Sequence, residues 1–524
     1  MIFEKENTID DNSLALLRKF LYLILSLFLI IQLIVSSFSY ESTLVSFALY
    51  MTSFYTINSV LNRKILLNFF FPVLIILSLN FTLISGPLIF KTILSQNIES
   101  NLDAPIKTFL IACVYQFILI LSLKFYSNSN KALILSEKIN LSLIKKLKAF
   151  NIPSIKYCLF LLLIFTLNKS YLNFIDQGPE SFTQIGDIRM KLLYGMEDFF
   201  FLPLICFSVH YFKNQTISNF FYFIIITFYV LSGIIFGLAT NSRQDILSIF
   251  FVIFSIIFVF RVFHLKRLNS LIRFFFIASI IFIFFLMETL SSNILKNRGL
   301  RDTISAKDLF LLTLPNNQVN IEKDFLIEVP SSEMYTNSKI LDRLIFVRFL
   351  DKSLFLSKDF SKTQKKQFVE FTKNRLIAVL PIQVINLFNS DFDKQKFLIS
   401  NGSLIEGLKY GNFQGGLYNT GSYLVELIIV TNSYFITAII IFILNILFFI
   451  FIQSFQNNSD KFIQFSPILF VAIFFLLFVP NSDSSSGFLF NSIRRPLQLA
   501  ILYLIMNLFI KNQSLGYSDN KNYN

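Results

Sequence analysis

The chain is 524 residues long, 54% hydrophobic and 15% charged, with a formal net charge of +14 and a mean hydropathy of +0.63. These values exclude an ordinary soluble domain. Apolar runs of about 17 residues or more recur along the whole length, which predicts an all-α, polytopic integral membrane protein. There is no basic stripe interleaved with aromatics on a soluble domain, so nucleic-acid binding has no support. The positive charge reads as a loop bias plus attraction to anionic membrane lipids. Sixty-eight phenylalanines without a tryptophan read as compositional bias, since Ile, Asn, Lys and Ser are abundant too. Tyrosine is then left to form the interfacial aromatic belt.

In chain order, a polar start ending in Arg18-Lys19 precedes the first span, Phe20–Phe38. It is long and lacks a small-residue cleavage site, so it reads as a retained span rather than a signal peptide. Leu44–Leu61 is the second span. Ile65–Phe90 is the third, with Pro72 and Gly86-Pro87 predicting a kink or an early end. Ile106–Phe125, Tyr157–Ile175, Phe199–Phe212, Phe220–Leu238, Ile246–Phe260 and Phe274–Leu290 follow, which makes nine spans in residues 1–291. Residues 292–433 are polar and form one large loop. Tyr434–Ile452, Phe465–Val479 and Leu497–Ile510 complete about twelve transmembrane helices and lead to a C-terminal tail in 434–524. Cys113, Cys158 and Cys206 all fall inside spans, which suggests neither a disulfide framework nor a metal site.

Lysine and arginine in the short loops set the orientation. With the N-terminus inside, inner segments hold about 20 of them and outer short loops about 8. The other 18 of the 46 sit in the long loop, which is too long for the rule. The long loop therefore faces outward, and both termini are cytoplasmic. Within it, Ser361–Leu380 predicts an amphipathic helix, with Phe368, Phe371, Ile377 and Val379 apolar, lysines opposite and Pro381 as the stop. Such a helix would lie flat on the outer membrane face. The loop closes on a glycine-rich run from Glu406 to Glu426, with five of the fifteen glycines between Gly407 and Gly421. Glycine lets backbone turn sharply or approach a ligand closely.

Some charges disobey the bias and gather at the outer face: Arg189, Arg243, Arg298, Arg301, Arg494 and Arg495. Arginine grips phosphate bidentately, so such a ring suits a phosphorylated lipid headgroup; the plainer reading is that each anchors its own helix. Candidate proton acceptors on that face are Glu406, Glu426, Glu288 and Asp245, the last of which could simply pair with Arg243. Both histidines, His210 and His264, fall on the inner side.

Two local patterns carry a family resemblance. Asn241-Ser-Arg243-Gln-Asp-Ile-Leu resembles a small-polar-Ser-Arg turn at the head of a helix. Gly416-Leu-Tyr-Asn-Thr-Gly-Ser-Tyr-Leu-Val-Glu426 resembles a small-residue run leading to a glutamate at the mouth of a span. With the topology, they resemble the O-antigen polymerase (oligosaccharide repeat-unit polymerase) family of bacterial surface-polysaccharide assembly. The family usually has a glycine some six residues beyond that glutamate; here Asn432 stands there. The resemblance implies inverting, metal-independent glycosyl transfer outside the bacterial cytoplasmic membrane, with no cofactor. Undecaprenyl-diphosphate-linked oligosaccharide serves as donor and acceptor, beside a chain-length regulator and a flippase. It carries over Arg243 and Glu426 as motif positions, while Glu406 and the other arginines follow from topology alone. An O-antigen ligase would want a histidine in the large outer loop, and none is present. A lipid-phosphate-sugar transferase would want an acidic pair in the first outer loop, which offers only Glu41. A transporter would want charged or glycine-broken helices deep in the membrane.

Overall fold

The structure is a computed structural model that describes residues 2–4, 8–174, 188–212, 216–240, 242–263, 294, 306–313, 335–336, 338, 341–380, 382–388, 392–397, 399–411, 421–459 and 462–509. Seven helices among them are long and apolar enough to cross a membrane: Asp11–Val35, Phe70–Ile93, Pro105–Asn128, Ile155–Phe174, Leu192–Phe212, Asn219–Ala239 and Tyr434–Gln453. The second predicted span is also helical, over Tyr40–Val60. It falls short in hydropathy because its inner face is a row of buried hydroxyls, Ser42, Ser46, Thr52, Ser53 and Thr56. The ninth predicted span and the start of the long loop lie outside the described residues.

The predicted kink in the third span is a π-turn. Helix Phe70–Leu79 passes through Asn80–Ser85 in π geometry into Gly86–Ile93. Pro87 has no N–H to continue the ladder, and the wider turn absorbs that loss. Helices Asn219–Ala239 and Arg243–Phe263 pack through Gly233-Ile-Ile-Phe-Gly237. A Cβ on Gly233 or Gly237 would sit 2.2 Å from side-chain carbons of Ile249 or Ile246. Close helix approach through small residues is the common solution where lipid offers no hydrophobic drive.

Beside the helices, β1 (Ile2–Glu4), β2 (Gln456–Asn458) and β3 (Phe462–Phe465) form a small antiparallel sheet in the order β1-β3-β2. Phe462-Ile-Gln-Phe465 alternates, with Ile463 and Phe465 turned into the core. Phe3 of β1 packs on Phe260, Phe263 and Phe465. The sheet lies at one end of the helical bundle; the helices of the long loop gather at the other.

At that other end the loop is welded to the bundle by a buried carboxylate. Asp351 is fully buried on helix Val347–Ser357. It accepts from the amides of Asp103 (2.8 Å) and Ala104 (2.9 Å) and from Thr108 Oγ1 (2.9 Å), and pairs with Arg348 (2.9 Å). Ala104 is the N-cap of Pro105–Asn128 and has no capping side chain of its own. Asp351 therefore supplies the missing cap from about 250 residues away, where a helix N-terminus favours negative charge.

The predicted amphipathic helix spans Lys362–Ala378, opened by a Ser361/Gln364 capping box. Its buried face, Phe368, Thr372, Arg375 and Ala378, packs against protein, on helices Asn401–Tyr410 and Tyr423–Thr431. Phe368 of the predicted apolar face is thus turned to protein, while Ile377 of the same face is exposed. An arginine on that stripe needs a partner that acyl chains cannot give, and the Tyr423–Thr431 helix provides one.

Candidate functional site

Glu426 lies in the first turn of helix Tyr423–Thr431 and is fully buried. Three contacts fix that short helix. The Tyr423 amide donates to the Ser482 carbonyl at 3.0 Å, and its phenol pairs closely with Tyr115 of Pro105–Asn128. Asn432 then ends the helix with φ of +50°. Asparagine is among the few residues besides glycine that tolerate the left-handed cap.

Glu426 Oε1 accepts from the Ser485 hydroxyl, at close range, and from the Ser485 amide at 3.3 Å. Its Oε2 faces Arg375 Nη1 at 3.6 Å, an ion pair beyond hydrogen-bond reach. Both side chains are almost wholly buried, at 0% and 6% exposure. Arg375 Nη2 donates to the Ile399 carbonyl at 2.6 Å, and the guanidinium lies over the Phe371 ring. Three buried atoms nevertheless lack a hydrogen-bond partner: Glu426 Oε2 and Arg375 Nε and Nη1. Leaving such atoms unmatched is costly.

A second carboxylate completes the cluster. Asp483 accepts from the Asn401 amide at 2.8 Å and, at close range, from the Gly421 amide. It thereby pins the start of helix Asn401–Tyr410 to the C-terminal foot of the glycine-rich run. Gly421 is required there, because a Cβ would meet the Gly402 nitrogen at 2.7 Å. Gly411 (φ +76°) ends the preceding helix in the left-handed region. Residues 412–420 of the run lie outside the described residues.

Burial pushes the Glu426 carboxyl up to about 7. The Ser485 hydrogen bond and the Arg375 charge pull it back only in part, and Asp483 adds to the rise. Asp483 is raised as well, chiefly by desolvation. Arg375 is lowered, because burial outweighs its two carboxylate neighbours. One guanidinium is thus shared between two carboxylates, and Glu426 stands near the midpoint of its titration at neutral pH. A base poised there both accepts and releases a proton readily.

The other candidates are distributed differently. Glu406, on Asn401–Tyr410, is partly exposed and pairs with Lys352 at 3.2 Å. Arg495 is held bidentately by Asp198 (2.8 and 2.7 Å) and stacks on Phe475. Arg494 donates to the Val379 carbonyl. Arg189 and Arg243 stand in the first turns of Ile188–Glu197 and Arg243–Phe263; their side chains lie outside the described set. Arg298, Arg301 and Glu288 also lie outside the described residues. Asp245 meets Lys169 (3.7 Å) and Thr240 (2.9 Å). Lys169 also meets Glu197 at 3.0 Å, so it ties three helices together. The arginine that does face the glutamate, Arg375, was not among the candidates. Its signal was a lone cation on the apolar stripe of the amphipathic helix, in phase with Phe368, Thr372 and Ala378.

A shallow groove between Pro105–Asn128 and Tyr434–Gln453, lined by Leu121, Lys124, Phe125, Asn128, Ser129 and Phe442, shares no residue with this cluster. Among the described residues, no group of three or more His, Cys, Asp or Glu could hold a metal ion. Comparison with protein-family models, with curated proteins and with solved structures finds no match for this chain.

Proposed function

We propose that the chain is a membrane glycosyltransferase that polymerises oligosaccharide repeat units carried on a polyprenyl diphosphate, with Glu426 as general base. In this reading about twelve spans cross a bacterial cytoplasmic membrane, both termini are cytoplasmic, and the long loop faces out. The observation that supports it best is the buried Glu426–Arg375 pair. It stands at the foot of a glycine-rich run, its carboxyl is pushed up to about 7, and its facing polar atoms are unmatched.

The chemistry follows from that geometry. An acceptor hydroxyl that reaches Glu426 Oε2 donates its proton to the carboxylate. Its oxygen attacks the anomeric carbon of the donor from the face opposite the diphosphate. The carbon–oxygen bond to the diphosphate breaks, and the electron pair leaves on the phosphate oxygen. Fixed cations stabilise the charge that develops there. With Arg495 committed to Asp198, the candidates for that task are Arg243, Arg189, Arg298, Arg301 and Arg494. Glu426 is buried, so the acceptor enters by displacing what packs over it.

The test is reconstitution of the purified protein in proteoliposomes with undecaprenyl-diphosphate-linked oligosaccharide. A ladder of lengthened glycan on lipid is expected. Monodisperse, thermally intact protein that makes no ladder from the repeat unit produced by its own cell would sink the reading.

A further inference from the structure

Beyond the carboxylate cluster, the loop carries an apolar patch at the end of helix Lys362–Ala378. Leu376, Ile377, Leu380 and Val384 are 37–45% exposed, and Leu387 and Phe388 reach 78% and 86%. The patch spans the last turn of that helix, the short helix Ile382–Asn386 and the turn after it. Single exposed leucines are ordinary, but a contiguous apolar surface ending in Leu-Phe is not.

Two hydrogen bonds fix where this surface lies. Arg494 donates to the Val379 carbonyl, and it directly precedes helix Arg495–Phe509, whose Ile501, Ile505 and Leu508 point outward. At the opposite end of Lys362–Ala378, Lys365 Nζ reaches Asn432 Oδ1 at 3.3 Å, two residues before the apolar span Tyr434–Gln453. The helix, about 25 Å long at 1.5 Å per residue, thus bridges the mouths of two apolar helices and lies across them. Leu380 and residues 382–388 lie at the end of that helix joined to Arg494.

We propose that Leu380, Val384, Leu387 and Phe388 form a wedge that inserts into the acyl region of the leaflet nearest the loop helices. The occupant of this surface is phospholipid. The backbone is prepared for insertion, since the Leu387 and Phe388 amides already donate to the Val384 and Ile385 carbonyls (3.3 and 2.9 Å). Only internally paired backbone enters hydrocarbon at acceptable cost. The flank is charged, as suits a headgroup layer: Lys373 is exposed, Lys394 donates to the Leu380 carbonyl at 3.0 Å, and exposed Lys396 pairs with Asp393 at 3.7 Å. The wedge would hold the Arg375-bearing helix at a set height over the bilayer whatever reaction the protein performs.

The chain contains no tryptophan, so Phe388→Trp creates a single fluorescent probe. The protein is reconstituted with phospholipid brominated midway along its acyl chains, and separately titrated with aqueous iodide. A wedge gives blue-shifted emission, a drop of roughly twofold or more with brominated lipid, and little loss with iodide. Iodide quenching without bromine quenching would place the patch in water and overturn the proposal. Protection from both quenchers would show protein covering it and would overturn it equally. Leu387→Trp, checked for monodispersity, reports the same position should Phe388→Trp fold poorly.

Discussion

At the scale of single residues, the account turns on where a carboxylate sits rather than on its presence. Glu426 and Glu406 flank the same run, yet one is buried against Arg375 and the other is paired with Lys352 at the surface. Glu426→Gln removes the base while keeping size, so turnover should fall by roughly two to four orders of magnitude in a reconstituted assay. Glu406→Gln breaks only a partly exposed pair, a kind worth about 0–1 kcal/mol. Its turnover should stay within about threefold of wild type, and a larger fall would move the chemistry to Glu406. Because the Glu426 carboxyl stands at about 7, activity should rise about tenfold per pH unit below that value and level off above it. Arg375→Gln removes a charge that favours the carboxylate, so the midpoint should move to higher pH. An unchanged midpoint would detach Arg375 from Glu426.

The same residue sets a stability trend. Its folded value lies above the ordinary carboxyl value of 4.5, so the protonated form is favoured by folding. That contribution is fully present below about 4.5 and is lost as pH rises through about 7. The melting temperature of Glu426→Gln relative to wild type should therefore climb between pH 5 and pH 8. Glu426 was legible in the sequence because it closes a small-residue run at a helix mouth. Arg375 and Asp483 were not legible as its companions, since they lie 51 and 57 positions away in opposite directions and only folding brings them together.

At the scale of elements, the long apolar runs announced their helices, and Ser361 and Pro381 bracketed the amphipathic one. The strands escaped notice because three or four residues give too little alternation to read. The contact of the long loop with the bundle was also invisible, since Asp351 caps a helix that begins at Pro105. Asp351→Ala leaves the Asp103 and Ala104 amides without their acceptor and removes one of the two carboxylates that pair with Arg348. It should destabilise the fold by about 3 kcal/mol, read as a clear loss of melting temperature in detergent. An unchanged melting temperature would mean that the loop is not held there.

At the scale of the molecule, hydropathy marks the chain as a membrane protein, and among the described residues seven helices meet the criterion for crossing where the runs predicted twelve over the whole chain. One predicted span, Phe274–Leu290, lies outside the described residues. Of the others, Tyr40–Val60 buries a row of hydroxyls, and Pro467–Val471 and Ile473–Phe478 are too short to qualify alone, although a bundle can shelter them. Sidedness remains a matter of charge counting, and it is open to direct test. The three native cysteines are buried, so Lys362→Cys, at an exposed position, should be labelled by an impermeant thiol reagent on intact spheroplasts. Labelling only after permeabilisation would invert the topology.

The central claim, that buried Glu426 is the base of a lipid-linked glycan polymerase, is tested most directly by one comparison in proteoliposomes. Wild type and Glu426→Gln are given the same polyprenyl-diphosphate-linked repeat units at pH 8, with substrate binding measured alongside. The account predicts a glycan ladder from wild type, and from Glu426→Gln a rate lower by about a hundredfold or more with binding retained. A ladder of equal rate and length from both proteins would contradict it.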